Sequence, residues 1–246
     1  MQLRNPLRDI YLTRISSHRD LYKSISAITG SVPRNISCYK QALRHHSVSA
    51  TVHENGYKDS NERLEYLGDS VLNTIVAEVL FRKYPYKNEG FLTEMRAKIV
   101  SRESLNDLAL KIGLKELLQY DKRILGPQVR NTIFGNALEA FVGAIYLDTG
   151  FAGVRKFILD KLIIHIDLEK LQHTETNFKG KLIEWAHKNT RTLEFETDEL
   201  IQAKQKIYKV RILIDKEILA ESENLSKKKA EQFAAQKVFE TLKIIP

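Results

Sequence analysis

The sequence predicts a multidomain chain: an all-α domain followed by a small α+β domain with the order helix, strand, strand, strand, helix. Three observations lead there. Through about the first 170 residues, apolar side chains recur at helical spacing and no stretch alternates strictly. The polar run Gln172-His173-Thr174-Glu175-Thr176-Asn177 then breaks the pattern. Beyond it, Leu193 to Thr197, Ile207 to Ile214 and Glu217 to Ala220 suit strands, and they lie between two amphipathic helices. The expected division is a basic helical N-terminal extension over 1–38, a helical domain over 39–171, a linker over 172–177 and the α+β domain over 178–246.

Composition narrows the class. With 43% apolar and 28% charged residues, the 246-residue chain can bury one sizeable core and a smaller second one. A formal charge of +8 and a pI near 9.4 favour a polyanionic partner, with a general surface bias as the alternative. There is no run of about 18 apolar residues, and Arg4, Arg8 and Asp9 interrupt any hydrophobic leader. The single Cys38 excludes an intrachain disulfide and a cysteine-built zinc cluster, in keeping with a reducing compartment. A soluble cytoplasmic protein without membrane association is expected.

From Met1 to Arg44 the net charge is +6, most of the excess of the whole chain. One amphipathic helix is expected from about Leu7 to Ile28, ended by Gly30 and Pro33. Its Ile10, Ile15, Leu21, Ile25 and Ile28 would dock on the main domain, while its cations could lie along nucleic-acid phosphates. In the next segment, Gln41 to Ser47, His45 is expected to be a hydrogen-bonded structural imidazole and not a ligand.

The stretch Asn61-Glu62-Arg63-Leu64-Glu65-Tyr66-Leu67-Gly68-Asp69-Ser70-Val71-Leu72 sets Glu65 and Asp69 one turn apart on one side of a helix. Its other side continues apolar through Val71, Leu72, Ile75, Val76, Val79 and Leu80. Gly68 disfavours a helix by about 1 kcal/mol relative to Ala, so a neighbouring helix is expected to pass close to it. Carboxylates at this spacing are by themselves also what a solvated helix face shows. A second, mostly apolar helix from Gly135 to Asp148 carries Asn136 and Glu139 one turn apart, where polar groups need hydrogen bonds or a ligand. If the two helices cross at their glycines, Glu65, Asp69, Asn136 and Glu139 converge into an oxygen-rich cluster suited to Mg2+.

With both motifs in view, the chain closely resembles the ribonuclease III family. Asn61 to Leu72 is similar to the family's signature, and Asn136 to Asp148 to its second acidic motif, including the Gly-Ala-Ile-Tyr-Leu-Asp ending. Gln41 to Ser47 resembles the segment that precedes the signature. The resemblance implies that Glu65, Asp69, Asn136 and Glu139 surround catalytic metal ions, with Asp69 and Glu139 catalytic. Glu62 and Glu89 are then acidic neighbours just behind the ligands. The chain departs from the family at Asn136, where Asp is usual. A carboxamide oxygen can still coordinate Mg2+ or orient a water, but it carries no charge.

After the signature helix, Tyr84 to Gly90 reads as a loop, and helical spacing resumes over Leu92 to Val100. There Arg96 and Lys98 are either contacts to a nucleic-acid backbone or ordinary solvated cations. Ser101 suits an N-cap for Glu103 to Ile112, with Gly113 as the stop. Tyr120 to Asn131, with Gly126-Pro127, reads as a loop. Gly150 and Gly153 bracket a turn before the pattern Val154, Phe157, Ile158, Leu162 and Ile166.

In the last domain, Phe178, Leu182, Trp185 and Ala186 mark the first helix and Ser226 to Leu242 the final one. This order resembles a double-stranded RNA-binding domain. The match is strongest over Ser226 to Ala235, where Ser226 can cap the helix and Lys227, Lys228 and Lys229 can meet phosphates at its N-terminus. The resemblance implies that duplex RNA is read by shape. It weakens at Glu199 to Lys206, where the usual Gly-Pro-x-His loop is not evident, and at Ala220 to Asn224, which replace a glycine-rich approach. Residues 175–246 carry a net charge of only +2, and a lysine run on a surface helix is the alternative.

The resemblance as a whole implies a homodimeric, Mg2+-dependent endoribonuclease, with Mn2+ able to substitute. It would hydrolyse double-stranded RNA to 5′-phosphate products with short 3′ overhangs, in precursor rRNA and mRNA processing. No further protein partner is expected. Asn136 keeps an alternative open: a catalytically impaired duplex-RNA-binding protein, or a structural component of a ribonucleoprotein.

Overall fold

The computed structural model describes residues 6–49, 59–123, 132–173, 177–202 and 205–244, and the chain divides into two compact units, Met1–Leu171 and Gln172–Pro246. The first unit is helical: α1 (Pro6–Arg14), α2 (Arg19–Thr29), α3 (Ile36–Ala42), α4 (Glu62–Lys83), α5 (Glu89–Ile99), α6 (Arg102–Lys111), α7 (Ile133–Phe157) and α8 (Leu168–His173). α7 is apolar on nearly every side because it runs through the middle of the core, with α3, α4 and α6 packed around it. By length and composition it could cross a membrane. Half of that stretch is buried inside the unit, however, which makes it a core helix.

Polar anchors fix the helix ends. Asn35, Asn88 and Ser101 accept hydrogen bonds at the N-termini of α3, α5 and α6 from Ser37 N, Phe91 N and Ser104 N, at 3.2, 2.9 and 3.3 Å. Near the far end of α7, buried Asp148 accepts from Arg34 N (3.1 Å), Asn35 N (2.7 Å) and the Tyr39 hydroxyl (3.1 Å). A carboxylate so fully bonded is stable in the interior, and it pins the entry to α3.

Four expectations are corrected here. The N-terminal segment is two helices: Ile10 and Ile15 are exposed, while Ile25 is buried and Leu21 and Ile28 pack on the core. The break falls at Ser16-Ser17, where the Ser16 hydroxyl oxygen accepts from His18 N at 3.2 Å and competes with helical bonding. Val154, Phe157, Ile158 and Leu162 are buried as expected, but on a continuation of α7 through a non-helical Gly150 (φ 72°). Lys98 is no nucleic-acid contact, because it is buried and paired with Glu94 at 2.6 Å. α8 also runs to His173, into the stretch expected to link the domains. Residues 174–176, and 124–131 of the expected loop at Gly126-Pro127, lie outside the described residues.

The second unit has the order α9 (Phe178–Lys188), β1 (Leu193–Gln202), β2 (Gln205–Ile214), β3 (Glu217–Asn224) and α10 (Lys227–Leu242). Its strands form an antiparallel sheet in sequence order, and Val210, Ile212 and Ile214 share a core with Leu182, Ala230, Ala234, Val238 and Phe239 of the two helices. β1 runs past Thr197, so the expected loop at Glu199 to Lys206 is largely strand. Pairs of opposite charge between β1 and β2 support this extension: Arg211 with Asp198 (2.6 Å) and Lys206 with Glu199 (2.6 Å). β3 likewise continues to Asn224.

Candidate metal centre and nucleic-acid interface

α4 and α7 cross where each carries a glycine. A Cβ on Gly68 would overlap the Glu139 carbonyl, and one on Gly143 would overlap the Leu64 carbonyl, so the two backbones touch. Glu65 and Asp69 flank Gly68, and Glu139 lies one turn before Gly143, so the crossing gathers these carboxylates. Glu65, Asp69, Asn136 and Glu139 line one cavity of about 440 Å3. Glu62 lines it too. Its Oε2 accepts from the Ser60 hydroxyl at 3.1 Å, while the His46 Nδ1 stands 3.8 Å from its Oε1.

Glu89 is not brought to this cavity within the chain. It lines a separate one between α4 and α5 with Glu78 and Arg96, and accepts from the Thr93 hydroxyl at 2.8 Å. The reason is positional: Glu89 opens α5, whereas the acidic cavity is built at the α4–α7 crossing.

His45, His46, Asn61 and Tyr66 complete the lining. Sequence reasoning did not assign these four to the site. The chain returns there because Arg44 O accepts from Asn61 N at 2.9 Å and the Arg44 guanidinium pairs with Asp59. No local periodicity announces such a return. His45 is the bonded imidazole expected, with Nδ1 at 2.9 Å from the Ser47 hydroxyl. Asn61 is buried, and its Nδ2 has no hydrogen-bond partner among the described residues.

The electrostatics of the cavity follow from crowded carboxylates. Burial, followed by the charges of Asp69 and Glu65, pushes the Glu139 pKa up to about 7, against a lowering by Arg102. Burial also raises Glu65; a hydrogen bond from Asn136 opposes that rise, the charges of Glu62 and Asp69 add to it, and Arg102 opposes it. Asp69 is oriented by Asn73, whose Nδ2 donates to its Oδ1 at 2.7 Å. Burial lowers His45, and proximity to His46 lowers it further. Hard oxygen donors held against their own repulsion fit a divalent cation, which would relieve it. Among the described residues, no three His, Cys, Asp or Glu side chains are already closed into a metal cage, so the donor set is open.

In the second unit Lys227, Lys228 and Lys229 are all exposed on the first turn of α10. The expected Ser226 cap is absent: Ser226 is extended at the N-cap position, its side chain bonds no helix N–H, and its own N–H donates to Asn224 Oδ1 at 3.1 Å.

Residues 35–166 match the family model described as ribonuclease-III-like, and residues 178–242 match the double-stranded RNA binding motif. The chain belongs to the ribonuclease III family. Ribonuclease 3 of Bacteroides fragilis is 41% identical over 244 residues, spanning 98% of this chain and 83% of that one. Ribonuclease 3 of Flavobacterium psychrophilum is 38% identical over 234 residues, 94% of each chain. The crystal structure of the ribonuclease III nuclease domain from Campylobacter jejuni superposes with a TM-score of 0.51 at 28% identity, covering 59% of this chain and 95% of that domain. This member of the ribonuclease III family is a double-stranded RNA endonuclease of the divalent-cation-using type.

Proposed function

We propose that Glu65, Asp69, Asn136 and Glu139 hold Mg2+, with Mn2+ able to substitute, and that Asp69 and Glu139 are the catalytic pair. The observation that carries this reading is the convergence of three carboxylates and a carboxamide at the Gly68–Gly143 crossing. When bound, the cation supplies charge neutralisation at the scissile phosphate and activates water for in-line attack. Before a cation binds, Glu139 is the proton-sensitive member, since its pKa of about 7 in the cation-free chain means that it gives up a proton as it takes up the metal near neutrality. Asn136 directs a hydrogen bond to Glu65, which leaves the carboxamide oxygen for the cation. Asn73 holds Asp69, and Glu62, braced by Ser60 and His46, forms the wall behind the ligands. Lys227, Lys228 and Lys229 meet phosphates of the duplex.

The enzyme is a cytoplasmic homodimer that leaves 5′ phosphates and short 3′ overhangs and processes precursor rRNA and mRNA. A structure of the Campylobacter jejuni nuclease domain that concerns the region involved in dimer formation supports the dimer. The proposed boundaries are 1–38 for the extension, 39–173 for the catalytic domain, 174–177 for the linker and 178–246 for the RNA-binding domain, the linker beginning where α8 ends. Asn136 favours a second reading, a binding protein impaired in catalysis. Incubating the purified chain with a long perfect RNA duplex in Mg2+ or in chelator decides between them. Cleavage in Mg2+ alone is expected; an uncut but bound duplex would establish impairment.

A further inference from the structure

The acidic cavity has to admit a polyanion. Its lining offers four carboxylates and, against them, two imidazoles. Burial disfavours the charged form of His45, and His46 already faces Glu62 at 3.8 Å. Other cations of this unit are engaged as well: Arg44 pairs with Asp59, Lys98 with Glu94 at 2.6 Å and Arg155 with Glu78 at 2.8 Å.

We infer that Arg102 binds a phosphate of the cleaved strand at the margin of the acidic cavity. Arg102 opens α6, and the N-terminal half of α6 is fixed to the first turn of α7. Asn106 Oδ1 accepts from Gly135 N at 2.7 Å, and the Arg102 carbonyl lies 3.5 Å from where a Cβ on Gly135 would stand. Gly135 directly precedes Asn136, so the Arg102 backbone is held beside the helix turn that carries Asn136 and Glu139. Its side chain is exposed and, among the described residues, enters no hydrogen bond or ion pair. The charge nevertheless reaches both acidic helices, since it lowers Glu65 on α4 and Glu139 on α7. An unengaged guanidinium, with its planar fork of donors, is the side chain best matched to a phosphate.

The inference rests on the proposed cleavage of duplex RNA at this cavity. The full-length chain is compared with Arg102→Gln and Arg102→Lys on one long RNA duplex. Affinity is measured in chelator at several salt concentrations, and kcat and KM are measured in Mg2+. Loss of one charge-assisted phosphate contact should raise KM about tenfold in Arg102→Gln, with kcat changed far less. The slope of log affinity against log salt should fall by roughly 0.7 to 0.9, the value of one phosphate. Arg102→Lys should recover the slope. Unchanged KM and slope in Arg102→Gln would overturn the inference. So would a lower Mg2+ midpoint with an unchanged slope, because Arg102 would then only offset the carboxylates. A wild-type chain that leaves RNA uncut would count against the proposed function, while the salt slope in chelator would still decide for or against Arg102.

Discussion

Glu139 couples the centre to pH. Its pKa stands at about 7 against an ordinary 4.5, so between those values the folded, cation-free chain holds a proton that the unfolded chain has lost. Stability from this group is therefore complete below about pH 4.5 and is lost as pH rises through about 7. Thermal unfolding in chelator should show a midpoint that falls across this window, and Glu139→Gln should flatten the fall. Mg2+ should restore stability at the alkaline end and release a proton on binding. Cleavage by Glu139→Gln should drop on the order of 100-fold or more, with duplex binding in chelator kept. Wild-type turnover in this variant would remove Glu139 from the chemistry. Asn136 gives a second test, read by single-turnover cleavage across Mg2+ concentrations. Asn136→Asp replaces a donor to Glu65 by a like charge, which raises carboxylate repulsion without metal and strengthens Mg2+ binding; Asn136→Ala should weaken the response. Identical Mg2+ responses in all three proteins would exclude Asn136 from the site. Both residues were legible in sequence because one-turn spacing on a helix survives folding. His46 and Arg102 were not, since each arrives on an element whose approach only tertiary packing determines.

At the scale of elements, the α4–α7 crossing organises the site, and Gly68 predicted it correctly. A methyl group there would have to displace the Glu139 backbone, so the helices must part. Gly68→Ala should therefore destabilise by at least the roughly 1–3 kcal/mol typical of overpacking, with lost cleavage, despite Ala being the better helix former. Gly90→Ala is the control: in the first turn of α5 a Cβ would meet only Asn88 Oδ1, at 3.7 Å. Equal denaturation midpoints for Gly68→Ala and wild type would mean that the crossing is not this tight. Elements were misread where local chemistry competes with periodicity. The apolar spacing of Leu7 to Ile28 continues across Ser16-Ser17, but a serine side chain that bonds the backbone ends α1 there. Asp198 and Glu199 look too charged for a strand until they are seen paired with Arg211 and Lys206.

For the whole molecule, recognition and chemistry are carried by different parts of the chain. Of the net charge of +8, +6 precedes residue 45 and +2 belongs to residues 175–246, so residues 45–174, which hold all the acidic-cavity carboxylates, balance cations against anions. A neutral segment with a crowded acidic centre attracts RNA poorly by itself, and phosphate contacts elsewhere must supply affinity. In the second unit net charge is small, so the proposed contacts rest on the placement of Lys227 and Lys228 on one exposed helix turn. Replacing both by Ala should lower the salt slope of duplex binding by about 1.4 to 1.8, twice the value of a single phosphate. Because neither lysine belongs to the acidic cavity, single-turnover cleavage at saturating RNA should stay within a fewfold of wild type while cleavage at low RNA falls with affinity. Binding curves that overlay wild type at two salt concentrations would place the duplex on some other surface. A loss of saturated cleavage as large as the loss of affinity would mean that this turn also positions the strand for cutting, and the separation of recognition from chemistry would fail.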